Sequence, residues 1–255
     1  MIVFPMAGLS NRFRRAGYEK PKYMLDLGGR TVFSHAVSGF SRFFDTEPFL
    51  FICRSEAATP AFIEAELKTL HPGLRQHEIV VLEAETSGQA ETVDIGLRLS
   101  RLDHSDSLTI FNIDTFRPGY RRPPGLDLAT VDGYLEVVRA DGEGWSFVRP
   151  EDPDRPVGRA VEVAEKVRIS DLCSTGLYYF RTADLFLDLY DLTVDKKVED
   201  LQGGERYVAP LYNLAIAAGR RIFYELIEPH QVVFCGTPEE YESLRRSAVA
   251  RVPDR

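Results

Sequence analysis

Between Ile2 and Ile113, short β-rich apolar runs alternate with stretches of helical periodicity, and this alternation constrains the fold more than any other feature of the sequence. The apolar runs are Ile2-Val3-Phe4, Phe49 to Cys53, Ile79 to Leu82 and Leu108 to Ile113, and helical patterns begin near Val32, Pro60 and Gln89. Strands joined through a crossover helix pair in parallel, and a parallel sheet is buried on both faces. The expected architecture is therefore α/β in three layers, α/β/α, around a mixed, mostly parallel central sheet. Thr31 is placed to cap the first helix, whose apolar face would carry Phe33, Val37, Phe40 and Phe44. The next helix opens with Thr59-Pro60, a capping residue followed by proline at the first helical position.

After Asp114 the rhythm changes. Residues 117–130 are rich in Pro, Gly and Arg, and strand-like runs follow at Tyr134 to Val138, Trp145 to Val148, Ala160 to Ala164 and Gly176 to Phe180 with few helical segments between them. These read as antiparallel additions to the sheet. Helices are expected around Ala183 to Tyr190 and Pro210 to Ala218, with a strand from Ile222 to Ile227 between the latter and a C-terminal helix. That last helix opens with Thr237 followed three residues later by Glu240, a capping box. No repeat or long linker divides the 255 residues, so 1–255 reads as a single domain.

Composition excludes several classes. No apolar stretch approaches the roughly 20 residues of a membrane span. The N-terminus Met1-Ile2-Val3-Phe4-Pro5 reads as a first strand rather than a signal peptide, which points to a cytoplasmic protein. Cys53, Cys173 and Cys235 lie in apolar runs without a CxxC pair, so they read as buried thiols. The formal net charge of −8 argues against a broad nucleic-acid surface. Even so, Arg12, Arg14, Arg15, Lys20 and Lys22 share one short segment with a single acid, Glu19, where a polyphosphate could dock. His35, His71, His77, His104 and His230 show no catalytic or metal-binding spacing.

Directly after the first strand, Ala7-Gly8-Leu9-Ser10-Asn11-Arg12-Phe13 offers a turn whose main-chain N–H groups can face an anion, with Arg12 as a bidentate charge. It is neither GxGxxG nor a Walker loop. The segment Ser87-Gly88-Gln89-Ala90 opens a helix: Gly88 permits close approach of a ligand, while Gln89 is either a paired donor and acceptor for a base edge or an ordinary first-turn residue. Asp114 ends the apolar run from Leu108, where a carboxylate can hold a hard cation or simply begin a turn.

The pair AGLSNRF and PKYML (Pro21 to Leu25) resembles the N-terminal pattern of the GT-A-like nucleotidyltransferases, AxGxSxRF followed by PKxxL. Further stretches, IFNIDTFRP, RISDLCSTGLYYF and YVAPLYN, resemble the nucleoside-diphosphate-sugar pyrophosphorylase-like proteins of capsule and surface-polysaccharide pathways. The resemblance implies the three-layer nucleotidyltransferase fold, with residues 1–116 as a nucleotide-binding half and 117–255 as an acceptor-binding half. It also implies an NTP and a small phosphorylated acceptor as substrates, Mg²⁺ as cofactor, and NMP transfer with loss of pyrophosphate, without nucleic acid or membrane. Association into a homo-oligomer stays open.

On that resemblance Arg12 and Lys22 are the catalytic cations, Ala7, Gly8, Ser10, Asn11, Gly88 and Gln89 hold the nucleotide, and Asp114 is the metal ligand. Glu165 and Lys166 match the Glu-Lys pair that holds a sugar phosphate, with Gly176 and Tyr178 on a later Gly-x-Tyr strand and Trp145 lining the same pocket. Two departures stand out. Phe234 occupies the place of a late acid that is usually the second metal ligand, leaving Asp171 or water to complete the shell, and Val167 replaces the usual proline after Glu-Lys. The compact first loop also resembles those of cytidylyltransferases. CTP with a non-sugar acceptor such as phosphoglutamine, a GT-A glycosyltransferase and a nucleotide-binding protein without turnover are the alternatives.

Overall fold

The computed structural model describes residues 1–70, 74 and 76–249, the last two by their backbone alone; His71 lies outside the described residues. In the first half, β1 (Ile2–Pro5), β2 (Phe49–Arg54), β3 (His77–Leu82) and β4 (Leu108–Phe111) alternate with α1 (Asn11–Arg15), α2 (Val32–Ser38), α3 (Thr59–Leu70) and α4 (Gln89–Leu99). The second half adds β5 (Thr115–Phe116), β6 (Gly133–Arg139), β7 (Ser146–Pro150), β8 (Val157–Glu165), β9 (Leu172–Phe180), α5 (Ala183–Asp191), α6 (Leu211–Ala217), β10 (Ile222–Leu226), β11 (Val233–Phe234) and α7 (Pro238–Val249).

The main sheet has the order β3-β2-β1-β4-β9-β6-β10-β8-β7. β1 pairs in parallel with β2 and β4, β2 with β3, and β10 with β6. β9 and β8 run against the others, as the change of rhythm after Asp114 predicts. The pairing of Phe147 with Cys173 brings β7 back to β9, so that β9, β6, β10, β8 and β7 close a ring of pairings. The sequence analysis does not anticipate that closure, nor the small β5–β11 ribbon.

Two buried clusters, one on each face, make the three layers. One joins the sheet to α4, α5 and α6 through residues such as Val93, Leu97, Phe186 and Tyr212; the other joins it to α2, α3 and α7 through Phe33, Val37, Ile63 and Tyr241. At the centre of the second, the Phe4 ring lies 5.5 to 6.4 Å from those of Phe40, Phe49, Phe51 and Phe111. Burying each such ring contributes about 1.5–3 kcal/mol. The three cysteines are buried and free.

Local signals hold with two adjustments. Thr31 accepts from the Ser34 N–H at 3.0 Å and caps α2, but α2 ends at Ser38 and Phe40 and Phe44 are buried from the turns beyond it. The Gly39 carbonyl there is taken by the Tyr120 N–H at 3.0 Å. Thr59 is not an N-cap: it is already helical, and its hydroxyl donates to the Glu56 carbonyl at 2.6 Å. The capping box of α7 is present in both halves, with Glu240 Oε2 accepting from the Gly236 and Thr237 N–H groups and Thr237 Oγ1 accepting from Glu240 N–H.

Candidate active site

Ligands of open α/β sheets bind at the carboxyl ends of parallel strands. Because β1 and β4 are adjacent, the loops that follow them meet although about a hundred residues separate them in the chain. Over this edge lies a cavity of about 950 Å³, at the upper end of the range for small-molecule sites. Ala7, Gly8, Ser10, Asn11, Arg12, Lys22, Gly88, Gln89, Asp114, Trp145, Glu165, Gly176 and Tyr178 all line it. Lys166 does not, but its Nζ donates to the hydroxyl of Tyr207, which does.

The loop after β1 is held in shape by Ser10, a non-glycine residue at φ 54°, whose Oγ accepts from the Lys22 N–H at 3.3 Å. Such a conformation persists where its surroundings impose it and is enriched at ligand sites. Asn11 and Arg12 stand exposed at the start of α1, and the Arg12 side chain has no hydrogen-bond or ion-pair partner among the described residues. Arg14, by contrast, is spent on the surface, pairing with Glu56 at 2.7 Å.

Lys22 Nζ donates to Asp114 Oδ2, so the cation of one motif neutralises the acid of the other. Gln89 Nε2 donates to Asn112 Oδ1 at 2.6 Å, placing the helix-opening amide beside the strand that ends in Asp114. Gly176, at φ 87°, leaves room for Asn112: a Cβ there would sit 2.3 Å from Asn112 Nδ2. Its role in the geometry is thus close packing against the donor side.

On the opposite wall, Glu165 ends β8, buried, accepting from Ser146 Oγ. Burial lifts its carboxyl above the usual range, opposed by the Ser146 hydrogen bond and the charge of Lys166. Its main-chain N–H donates to Gln202 Oε1 at 2.9 Å. Lys166, at φ 57°, donates its N–H to the Trp145 carbonyl at 2.8 Å, while its ammonium lies 4.5 Å from the centre of the Tyr207 ring. Trp145 meets Phe234 edge to face at 4.9 Å, so the β5–β11 ribbon contributes an aromatic wall to the cavity.

Asp171 is not in the cavity. It pairs with Arg139 on the exposed surface, too far from the cavity lining to complete a metal shell with Asp114. Among the described residues no three His, Cys, Asp or Glu side chains converge on a metal position. Glu240 approaches, but its Oε2 already caps α7. The donor set is the carboxylate of Asp114, held in an ion pair by Lys22, which suits a cation that arrives with its own phosphate oxygens rather than one caged by protein. Glu205 and Gln202 carry no sequence expectation, and Tyr207 enters only as the first residue of YVAPLYN without a site role; the Gly203-Gly204 turn signal just before that stretch is the feature that could have found them.

No family model and no curated protein matches this chain. Among solved structures, the nucleoside-diphosphate-sugar pyrophosphorylase from Vibrio cholerae RC9 is 45% identical over 96% of this chain and 100% of its own, with a TM-score of 0.89. A UDP-glucose pyrophosphorylase complexed with UDP-glucose is 16% identical, with 98% of each chain covered and a TM-score of 0.76. The inositol-1-phosphate CTP transferase from T. maritima is 14% identical, covering 99% of this chain and 97% of its own at a TM-score of 0.67. The latter two share the fold.

Proposed function

The chain belongs to the nucleoside-diphosphate-sugar pyrophosphorylase family, and we propose that it transfers a nucleoside monophosphate from an NTP to the phosphate of a small acceptor, a sugar 1-phosphate, releasing pyrophosphate. One observation carries this reading: a single cavity joins a main-chain anion cradle with an unpaired Arg12 and the Lys22–Asp114 pair on one wall to the Glu165, Lys166 and Tyr207 set on the other.

An oxygen of the acceptor phosphate attacks the α-phosphorus in line; the new O–P bond forms as the bond to the bridging oxygen of pyrophosphate breaks, and that oxygen leaves as an anion. No base or covalent intermediate is needed, because positioning and charge neutralisation supply the catalysis. The N–H groups of Ala7 to Asn11 and the guanidinium of Arg12 meet the β- and γ-phosphates. Mg²⁺, held by Asp114 and the phosphate oxygens, would neutralise charge at the reacting phosphate. Lys22, released from Asp114, turns to the α-phosphate oxygens. Gly88 and Gln89 face the base, and Glu165 accepts from an acceptor hydroxyl while Lys166 meets the acceptor phosphate.

A second reading, cytidylyl transfer to a non-sugar phosphate such as phosphoglutamine, is favoured by the Trp145–Phe234 wall, an aromatic surface in a place where sugar-phosphate relatives usually have an acid. With an NTP and a sugar 1-phosphate as the proposed substrates, the proposed place of action is the cytoplasm and the proposed role is to supply surface-polysaccharide assembly. No helix among the described residues is long and apolar enough to cross a membrane. The test is pyrophosphate release from each NTP against a panel of sugar 1-phosphates and phosphoglutamine with Mg²⁺. Release with one sugar 1-phosphate is expected; release with phosphoglutamine alone selects the second reading, and no release with any pair overturns both.

A further inference from the structure

Arg206 lies outside every motif considered so far, yet it touches the nucleotide-side loop and anchors the segment that reaches the acceptor side. Its N–H donates to the Ser87 carbonyl at 2.8 Å, and its own carbonyl accepts from the Ala90 N–H at 2.7 Å, so two main-chain bonds straddle Gly88 and Gln89. The fit is close: a Cβ on Gly88, which sits at φ 150°, would lie 2.6 Å from both the N and the O of Arg206.

The guanidinium points the other way. Nη1 donates to the Thr193 carbonyl at 2.9 Å, and Nη2 to the carbonyls of Val194 at 3.2 Å and Lys196 at 2.9 Å, with the Tyr190 ring 5.8 Å beneath. One side chain thereby meets three carbonyls and the Thr193 hydroxyl of one loop, a task for which a planar five-donor fork is suited and an ammonium is not. The neighbours of Arg206 complete the link: Gln202 accepts from Glu165 N–H, and the Tyr207 hydroxyl receives Lys166.

We propose that residues 202–207 form a strap coupling the two subsites, with Arg206 as the positioning residue whose main chain bonds the nucleotide loop and whose guanidinium fixes the strap to residues 193–196, so that occupation of one subsite tightens the other. This rests on the reading of the cavity as a nucleotidyltransferase site. A nucleotide that orders Gly88 and Gln89 orders Arg206 through the two main-chain bonds, and with it the hydroxyl that holds Lys166. Linkage then requires the reciprocal effect of acceptor on nucleotide.

Hydrogen exchange on the full chain tests the strap without an acceptor. Saturating MgCTP or MgUTP is expected to slow amide exchange at 87–92 and also at 202–207, by about fivefold or more at the latter, the low end of coupling between linked sites. In Arg206→Ala, which keeps both main-chain bonds but releases the strap from residues 193–196, protection should remain at 87–92 and fall at 202–207. Arg206→Lys, which keeps the charge and loses the fork, should fall between the two, and it guards against a collapse of the fold in the alanine variant. Nucleotide protection confined to 87–92 in the wild type, or equal protection at 202–207 in all three proteins, overturns the coupling while leaving the nucleotide reading intact. Absence of protection at 87–92 with both nucleotides overturns the two together.

Discussion

The two walls of the cavity are built by different means. On the wall we assign to the nucleotide, the groups come from loops at the ends of parallel strands; Lys22 pairs with Asp114 and Gln89 with Asn112, but the Arg12 side chain has no partner among the described residues. On the acceptor wall nearly every polar group is already engaged: Glu165 with Ser146 and Gln202, Lys166 with Tyr207 and the Trp145 carbonyl. The first wall waits for a ligand common to all NTPs and can leave its cation in solvent. The second is pre-organised, and pre-organisation lowers the ordering cost of recognising one particular shape.

The sharpest way to break this comparison is to remove what holds the second half together. Arg117 is 6% exposed and pairs at 2.8 Å with Glu136, which is fully buried in β6 and also accepts from Thr175 Oγ1 at 3.0 Å. Arg117→Met strands that carboxylate and should cost about 3–5 kcal/mol in a denaturant titration. A loss within experimental error would show that the ring of strands does not depend on the pair. Next in size, Asp114→Asn should lower kcat/KM by about 10²–10³-fold while leaving the fold intact, since it removes the carboxylate that pairs with Lys22 and would hold the cation.

A third comparison sets one wall directly against the other. Arg12→Ala should raise the KM for NTP by about tenfold, the equivalent of roughly 1.4 kcal/mol, with no change in thermal midpoint because the side chain supports nothing. Ser146→Ala should shift acceptor KM and the thermal midpoint together, since it leaves a buried carboxylate short of a partner at about 1–3 kcal/mol. Equal effects of the two variants on stability would erase the distinction between a waiting wall and a pre-organised one.

The smallest effect is on pH. Burial, with Glu136 on the neighbouring strand, pushes the Glu225 carboxyl up to about 7 from 4.5, and its Oε2 has no hydrogen-bond partner. Between those values the unfolded chain binds fewer protons than the fold, so the contribution of this group to stability is full below 4.5 and is lost as pH rises through 7. Glu225→Gln should flatten that decline and raise stability modestly at pH 8. A pH profile identical to wild type would remove Glu225 as its source.

The same contrast explains what could be read from the sequence. The nucleotide wall is written in contiguous motifs, AGLSNRF, PKYML, SGQA and the strand ending in Asp114, because each loop follows its own strand and the parallel order brings them together. On the wall proposed for the acceptor, Trp145, Glu165, Lys166 and Tyr178 could be named, but the hold of Gln202 on Glu165 and of Tyr207 on Lys166 joins segments about forty residues apart, which no local periodicity encodes. Strands of two residues, such as β5 and β11, are too short to show alternation. The buried Arg117–Glu136 pair reads in sequence as two ordinary surface charges, and Asp171 reads as a site acid only until the fold sends it to Arg139. Thr59 looked like a cap because its hydroxyl could serve a helix start; the preceding turn left it already helical.

The central claim is transfer of the α-phosphorus with its nucleoside, and label transfer reads it directly. With NTP labelled at the α-phosphate in one reaction and at the γ-phosphate in another, together with Mg²⁺ and an acceptor, the account predicts α-label in an acceptor–nucleotide product and γ-label in pyrophosphate. Transfer of γ-label to the acceptor, or retention of both labels in NTP with every acceptor, would contradict it.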